Sequence, residues 1–171
     1  MWIVKLMKLK QLSSWISNQA MEDELQNNII KSWLLEEGPI TSRIKSNELF
    51  KLSLIKDQIE KVDLQEIEFL GKEIGQVKIR EVILFGDEQP RVFARSLIPV
   101  KTIKDGFSKL GELGTKPLGD ILFERGVFKK IEVVFAKFTN SENIFWGRKS
   151  KYTVKNLPLS VMEVFLINLN E

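Results

Sequence analysis

Two stretches near the middle of the chain fix the kind of sheet it can build. Val77 to Phe85 and Arg91 to Ile98 are each rich in Val, Ile, Leu and Phe and long enough to be strands. Asp87-Glu88-Gln89-Pro90 lies between them, a run of turn-forming residues. A connection that short joins antiparallel neighbours, because a parallel pair needs a crossover of a dozen or more residues. The two stretches therefore read as a β-hairpin.

The rest of the pattern agrees with a sheet of that kind. Phe50, Leu52 and Leu54 alternate with polar neighbours, and Phe128 to Phe138 alternates again, with Ile131, Val133 and Phe135 on one face. Lys151 to Lys155 is a short strand candidate with Tyr152 and Val154 on one face, and Val161 to Ile167 is the last strand. Helical spacing is clearest from Glu22 to Glu37. There Leu25, Ile29, Trp33 and Leu34 share a face, Glu22, Asp23 and Glu24 occupy the first turn, and Gly38-Pro39 ends the helix. Ile40 to Ile44 reads as a turn or a second short helix. Leu113 to Arg125 reads as a loop entering a short helix with Pro117 near its start. No repeat or linker interrupts the chain. The expectation is one α+β domain over residues 1–171, with a largely antiparallel sheet of about six strands flanked by helices.

Composition narrows the chemistry. A chain of 171 residues without Cys or His has no disulfide, no thiolate metal site, no Cys nucleophile and no imidazole base. Catalysis must use carboxylates, Lys, Arg, Tyr, Ser, Thr or the backbone. The 26 basic and 23 acidic residues leave a net charge of +3, which is no nucleic-acid footprint and fits mild steering of a small anion. Met1 to Lys10 is apolar but broken by Lys5, Lys8 and Lys10. It is too short for a spanning helix and lacks a signal-peptide cleavage site, so the expected location is the cytoplasm without membrane insertion. Nothing suggests a dimer surface, and a monomer is expected.

Three charges stand where apolar residues belong. Glu163 lies inside Val161-Met162-Glu163-Val164-Phe165-Leu166-Ile167, a run apolar on both faces of a strand. An ionised carboxylate there costs several kcal/mol unless it is paired or hydrogen-bonded. It is a candidate acid/base, a buried Glu held by an Arg from a neighbouring strand, or an edge residue facing water. Arg80 shares a face with Val82 and Leu84. It is either an oxyanion receptor or one half of a structural salt bridge, with Glu163 as a possible partner. Arg95, between Phe93 and Leu97 on the facing strand, either completes a cationic floor with Arg80 or pairs with an ordinary carboxylate. Weaker signals are Leu118-Gly119 after Pro117, which can present a backbone N–H to an anion. Trp146-Gly147-Arg148-Lys149-Ser150 is a phosphate patch or, more commonly for such a run, a turn with solvated charges. Asp57, Glu60 and Asp63 read as a solvated surface, with no metal-ligand spacing.

Four blocks in order resemble the chorismate–pyruvate lyase family. They are Trp33-Leu34-Leu35-Glu36 to Thr41-Ser42-Arg43; Arg80-Glu81-Val82-Ile83-Leu84 with Pro90 and Val92 to Pro99; Leu113-Gly114 with Lys116-Pro117-Leu118-Gly119 and Leu122-Phe123; and Trp146 to Ser150 with Glu163-Val164-Phe165-Leu166. The resemblance runs from Trp33 to Leu166. It implies an enclosed ligand cavity covered by flaps, and an enzyme that converts chorismate to 4-hydroxybenzoate and pyruvate without a cofactor, feeding ubiquinone or another hydroxybenzoate-derived compound. It also implies site roles. Arg80 and the N–H groups of Ile40 and Leu118 hold the ring carboxylate, and Glu163 meets the 4-hydroxyl. Arg95 is expected to bind or guide the enolpyruvyl carboxylate. Lys149 stands where the family pattern has Arg, which removes a bidentate contact. The alternative of a different class is a non-catalytic hydroxybenzoate-type binding domain, as in effector-binding domains of transcription regulators.

Overall fold

The computed structural model describes residues 8–167. Seven strands form one antiparallel sheet in the order β1-β5-β6-β7-β4-β3-β2. They are β1 Lys10–Gln11, β2 Phe50–Glu60, β3 Val77–Gly86, β4 Gln89–Pro99, β5 Lys129–Thr139, β6 Ile144–Val154 and β7 Leu157–Phe165. The helices are α1 Asn18–Glu24, α2 Asn28–Leu34, α3 Ile40–Lys45, α4 Leu64–Leu70 and α5 Gly119–Leu122. This is the expected α+β architecture, with one strand more than the alternation alone suggests. The extra strand is β1, a two-residue edge paired with Phe138 and Thr139.

Both hairpins at the heart of the sheet turn on residues with positive φ. Asp87 and Glu88 join β3 to β4, and Lys155 and Asn156 join β6 to β7. Two consecutive left-handed residues match the right-handed twist of flanking strands, so these tight turns fix register. Long β6 is a correction to the sequence reading. Trp146-Gly147-Arg148-Lys149-Ser150 is not a solvated turn but the middle of a strand between β5 and β7. Its alternation is Trp146, Arg148, Ser150, Tyr152 and Val154 on one face, all buried.

The stretch read as one helix from Glu22 to Glu37 is two. Asn27 breaks it by accepting hydrogen bonds from the N–H groups of Ile29 and Ile30, which starts α2 afresh. The restart rotates the buried face, so Ile30 is buried while Ile29 is 60% exposed. Asp63, read as a solvated carboxylate, caps α4 by accepting from Glu66 N–H.

Helices α1 to α3 cover one face of the sheet. Met21, Leu25, Ile30, Leu34, Ile40 and Ile44 pack there against residues of β3, β4, β5, β6 and β7. Beyond them, on the same side, Leu113, Leu118 and Leu122 pack with Tyr152, Leu159 and Val161. The other face carries Ile83, Phe93, Ala136, Phe138, Phe145 and Val164, with Leu9 and Trp15 against them. Strand β7 is therefore apolar on both faces because both faces are covered.

Candidate functional site

The helix-covered face contains a small cavity of about 60 Å³ between the sheet, the start of α3 and the loop that enters α5. Its walls are mostly apolar, and its sheet floor carries Arg80 at one place and the pair Glu163 and Arg148 at another.

Arg80 projects from β3 opposite Ser96 on β4 and is 2% exposed. Its Nη1 donates to Gly114 O at 2.7 Å and its Nη2 to Lys116 O at 2.6 Å. Among the described residues it has no ion-pair partner. Burial pushes its pKa below the ordinary arginine value, and the charge of Asp57 across the β2–β3 ladder opposes that shift. The alternative of a salt bridge between Arg80 and Glu163 is not what the structure holds, since Glu163 pairs with Arg148. Arg80 instead ties down the loop that carries Pro117 and Leu118.

Glu163 sits on β7, in register with Ala94 on β4 and Arg148 on β6. Its Oε1 accepts from Arg148 Nε at 2.8 Å. The reading of a buried Glu held by a neighbouring-strand Arg is thus correct in part, and the Arg is Arg148. Arg148 is 4% exposed and also donates from Nη1 to Leu34 O at 3.1 Å and Glu36 O at 2.6 Å, at the end of α2. Those two carbonyls lack intrahelical donors, so the guanidinium both caps the helix and orients Glu163.

Two strand spacings of ~4.8 Å and two residues of ~3.4 Å separate the Arg80 and Glu163 positions, or about 12 Å between backbones. Ile40, the first residue of α3, and Leu118, just before α5, line the same cavity. Backbone N–H groups at a helix start have no intrahelical acceptor, which leaves them for a ligand. Tyr152 also lines the cavity. Burial, reinforced by the negative charge of Glu163, pushes its hydroxyl pKa up to about 12, so it stays a neutral phenol. Arg148 and Tyr152 were not singled out as site residues from sequence. The signal was there in the period-2 alternation of β6, hidden by charged and glycine neighbours on the opposite face.

Arg95 requires a correction. It lies opposite Glu81, on the far face of the sheet from Arg80. There its Nε and Nη2 donate to Glu66 at 2.9 and 3.0 Å, and its Nη1 is 3.6 Å from Glu81. The cause is one residue of register. The ladder shifts between Leu84 and Phe85, where Pro90 pairs with Phe85 and Val92 with Leu84, leaving Arg91 as the extra residue. That bulge reverses which β4 side chains share a face with Arg80. Arg95 is thus a structural ion-pair residue and forms no cationic floor. Lys149 is also on the far face, its Nζ 4.4 Å from the Trp15 ring centre and 4.2 Å from that of Phe69. Burial pushes its pKa down.

An apolar cavity with a few charged side chains on its floor is the kind of place where small-molecule sites form. The chorismate lyase family model matches residues 9–170. A probable chorismate pyruvate-lyase of Photobacterium profundum is 32% identical over 136 residues, 78% of this chain and 76% of that protein. The chorismate pyruvate-lyase of Proteus mirabilis is 27% identical over 154 residues, 89% of this chain and 88% of its own length. A shorter match, 38% identical over 92 residues, covers 46% of this chain and half of a probable chorismate pyruvate-lyase from Psychromonas ingrahamii. Among solved structures, a GntR-family transcriptional regulator from Enterococcus faecalis is similar at a TM-score of 0.49 and 15% identity, over 73% of this chain and 95% of that one. The chain belongs to the chorismate lyase family and is, by that membership, a lyase. Among the described residues no helix is long and apolar enough to cross a membrane.

Proposed function

We propose that the chain converts chorismate to 4-hydroxybenzoate and pyruvate in the cavity between Arg80 and Glu163. The observation that carries this reading is the placement of a buried guanidinium, without an ion-pair partner among the described residues, and a half-buried carboxylate on one cavity floor, in a chain of this family. Chorismate is a dianion with a ring carboxylate, a hydroxyl on C4 and an enolpyruvyl ether on C3. In the reaction the C4 proton leaves, its bonding pair completes the aromatic ring, and the C3–O bond breaks with its pair on the oxygen. The departing enol takes up a proton and becomes pyruvate. Atoms and charge balance without an oxidant, reductant or cofactor.

Aromatisation supplies the driving force, so the protein's task is to orient, desolvate and stabilise developing charge. Arg80 and the N–H groups of Ile40 and Leu118 hold the ring carboxylate. Glu163, fixed by Arg148, meets the C4 hydroxyl. The segments carrying Ile40 and Leu118 act as flaps, because a cavity of about 60 Å³ admits a ring only when they part. All these groups come from one chain, which fits a monomer. The proposed setting is the cytoplasm and the first step toward ubiquinone or another hydroxybenzoate-derived compound.

The test is to incubate purified protein with chorismate and follow both products. Equimolar 4-hydroxybenzoate and pyruvate, lost in Glu163→Ala, support the lyase. Tight 4-hydroxybenzoate binding without turnover assigns the chain to the ligand-binding class instead.

A further inference from the structure

Arg148 has one edge that the protein leaves open. Its Nε is committed to Glu163 and its Nη1 to two carbonyls at the end of α2. Its Nη2 has no hydrogen-bond partner among the described residues. That nitrogen is also not sealed in: the buried side-chain polar atoms left without a partner are Asp57 Oδ1 and Ser150 Oγ. Arg148 lines the cavity, and Nη2 is the part of its guanidinium that the protein leaves uncommitted.

We propose that Arg148 is the receptor for a second carboxylate on the ligand, carried on an ether branch beside the hydroxyl that meets Glu163. The inference rests on the lyase reading, for which that branch is the enolpyruvyl group. A carboxylate taken out of water needs a cationic partner or several donors. Among the described residues the cavity is lined by two cationic side chains, Arg80 and Arg148, while Arg95 and Lys149 lie beyond the sheet. Arg80 stands at the place proposed for the ring carboxylate. The branch on C3 is adjacent to C4, so its carboxylate falls on the Glu163 side, where Arg148 Nε donates to Glu163 Oε1 at 2.8 Å.

Arg148 is also pre-organised for the task. Three hydrogen bonds to a β-strand carboxylate and two helix-end carbonyls hold its plane fixed. Binding then immobilises no flexible side chain. A positive group fixed beside the leaving enolpyruvyl oxygen also opposes the negative charge that builds there as the C3–O bond opens. Arg148 thereby takes the role that the sequence had suggested for Arg95.

The test uses two stable aromatic ligands that differ by one carboxylate, 3-(carboxymethoxy)-4-hydroxybenzoate and 3-methoxy-4-hydroxybenzoate. Both are titrated by calorimetry into the wild type and into Arg148→Lys. The variant keeps a cation beside Glu163 but loses the planar fork. The wild type should prefer the dicarboxylate by about 30-fold or more, and Arg148→Lys should reduce that preference to about threefold, read as the ratio of the two affinities so that a loss shared by both ligands through Glu163 cancels. If Arg148→Lys fails to fold, Arg148→Gln takes its place with the same expectation. No preference in the wild type, or a preference that survives both substitutions, overturns the proposal. Equal loss for both ligands also overturns it, since Arg148 would then act only by positioning Glu163. A wild type that shows the preference yet does not turn over chorismate refutes the lyase reading and leaves the second-carboxylate site standing.

Discussion

Replacing Arg80 by Met separates the stability of the fold from the affinity of the site. In the ligand-free protein Arg80 makes two charge-assisted hydrogen bonds, to Gly114 O and Lys116 O. Each such bond contributes about 1.5–3 kcal/mol. Against this stands the cost of keeping a guanidinium 2% exposed with no ion-pair partner, itself several kcal/mol. The two effects nearly cancel, and Met restores an apolar side chain among Val82, Leu84 and Leu52. Arg80→Met should therefore change unfolding free energy by less than about 2 kcal/mol in either direction. Binding has no such compensation. A ligand carboxylate placed in the same pocket loses its cation, which costs about 2–5 kcal/mol, or roughly 30-fold to several thousand-fold in affinity. Calorimetric titration of 4-hydroxybenzoate beside a denaturant melt measures both. Uncharged 4-hydroxybenzamide is the control, and the wild-type preference for the acid over the amide should vanish in the variant. A folded Arg80→Met protein that binds 4-hydroxybenzoate within about threefold of wild type would refute the assignment of Arg80.

The remaining expectations concern residues around that centre. The chain has a single Tyr, so its phenolate absorbance reports Tyr152 alone, and the native protein should titrate near 12 and not near the ordinary 10. Because the folded pKa is raised, the contribution is intact below about pH 10 and is lost as pH rises toward 12, a fall of about 3 kcal/mol that Tyr152→Phe should abolish in alkaline melts. Arg95→Met should lower stability by about 1–2 kcal/mol through its lost bonds to Glu66 and leave kcat/KM for chorismate within about twofold. A large kinetic loss would place Arg95 back in the site. At Gly147 an added Cβ would stand 2.8 Å from Phe138 Cε2 and 3.0 Å from Glu163 O. Gly147→Ala should therefore cost about 1–3 kcal/mol and depress turnover by displacing the β7 backbone, measured as a melt and a kcat on the same preparation.

The parts of this molecule that were legible in sequence are those where one periodicity dominates. The β3–β4 hairpin is plain because Val77 to Phe85 and Arg91 to Ile98 are strongly apolar and closely spaced. Glu163 and Arg80 are plain because each interrupts an apolar face. What failed did so for local reasons. A single bulged residue, Arg91, moved Arg95 through the sheet, and no pattern of hydrophobicity reports a bulge. Only the end of strand β6 was read as a strand, and its first half went unseen because the covered face there carries Arg148, whose burial depends on partners from α2 and β7. The α1–α2 break went unseen because the capping power of Asn27 competed with an unbroken helical spacing across it. In each case a side-chain hydrogen bond or one extra residue overruled the periodicity.

The central claim is that Arg80 and Glu163 hold the two ends of one aromatic ligand, and a structure of the protein with 4-hydroxybenzoate tests it most directly. The account predicts the carboxylate on Arg80 and the N–H groups of Ile40 and Leu118, and the hydroxyl on Glu163, with the Ile40 and Leu118 segments closed over the ring. A ligand bound in the reverse orientation, or seated on the far face beside Arg95 and Lys149, would contradict it.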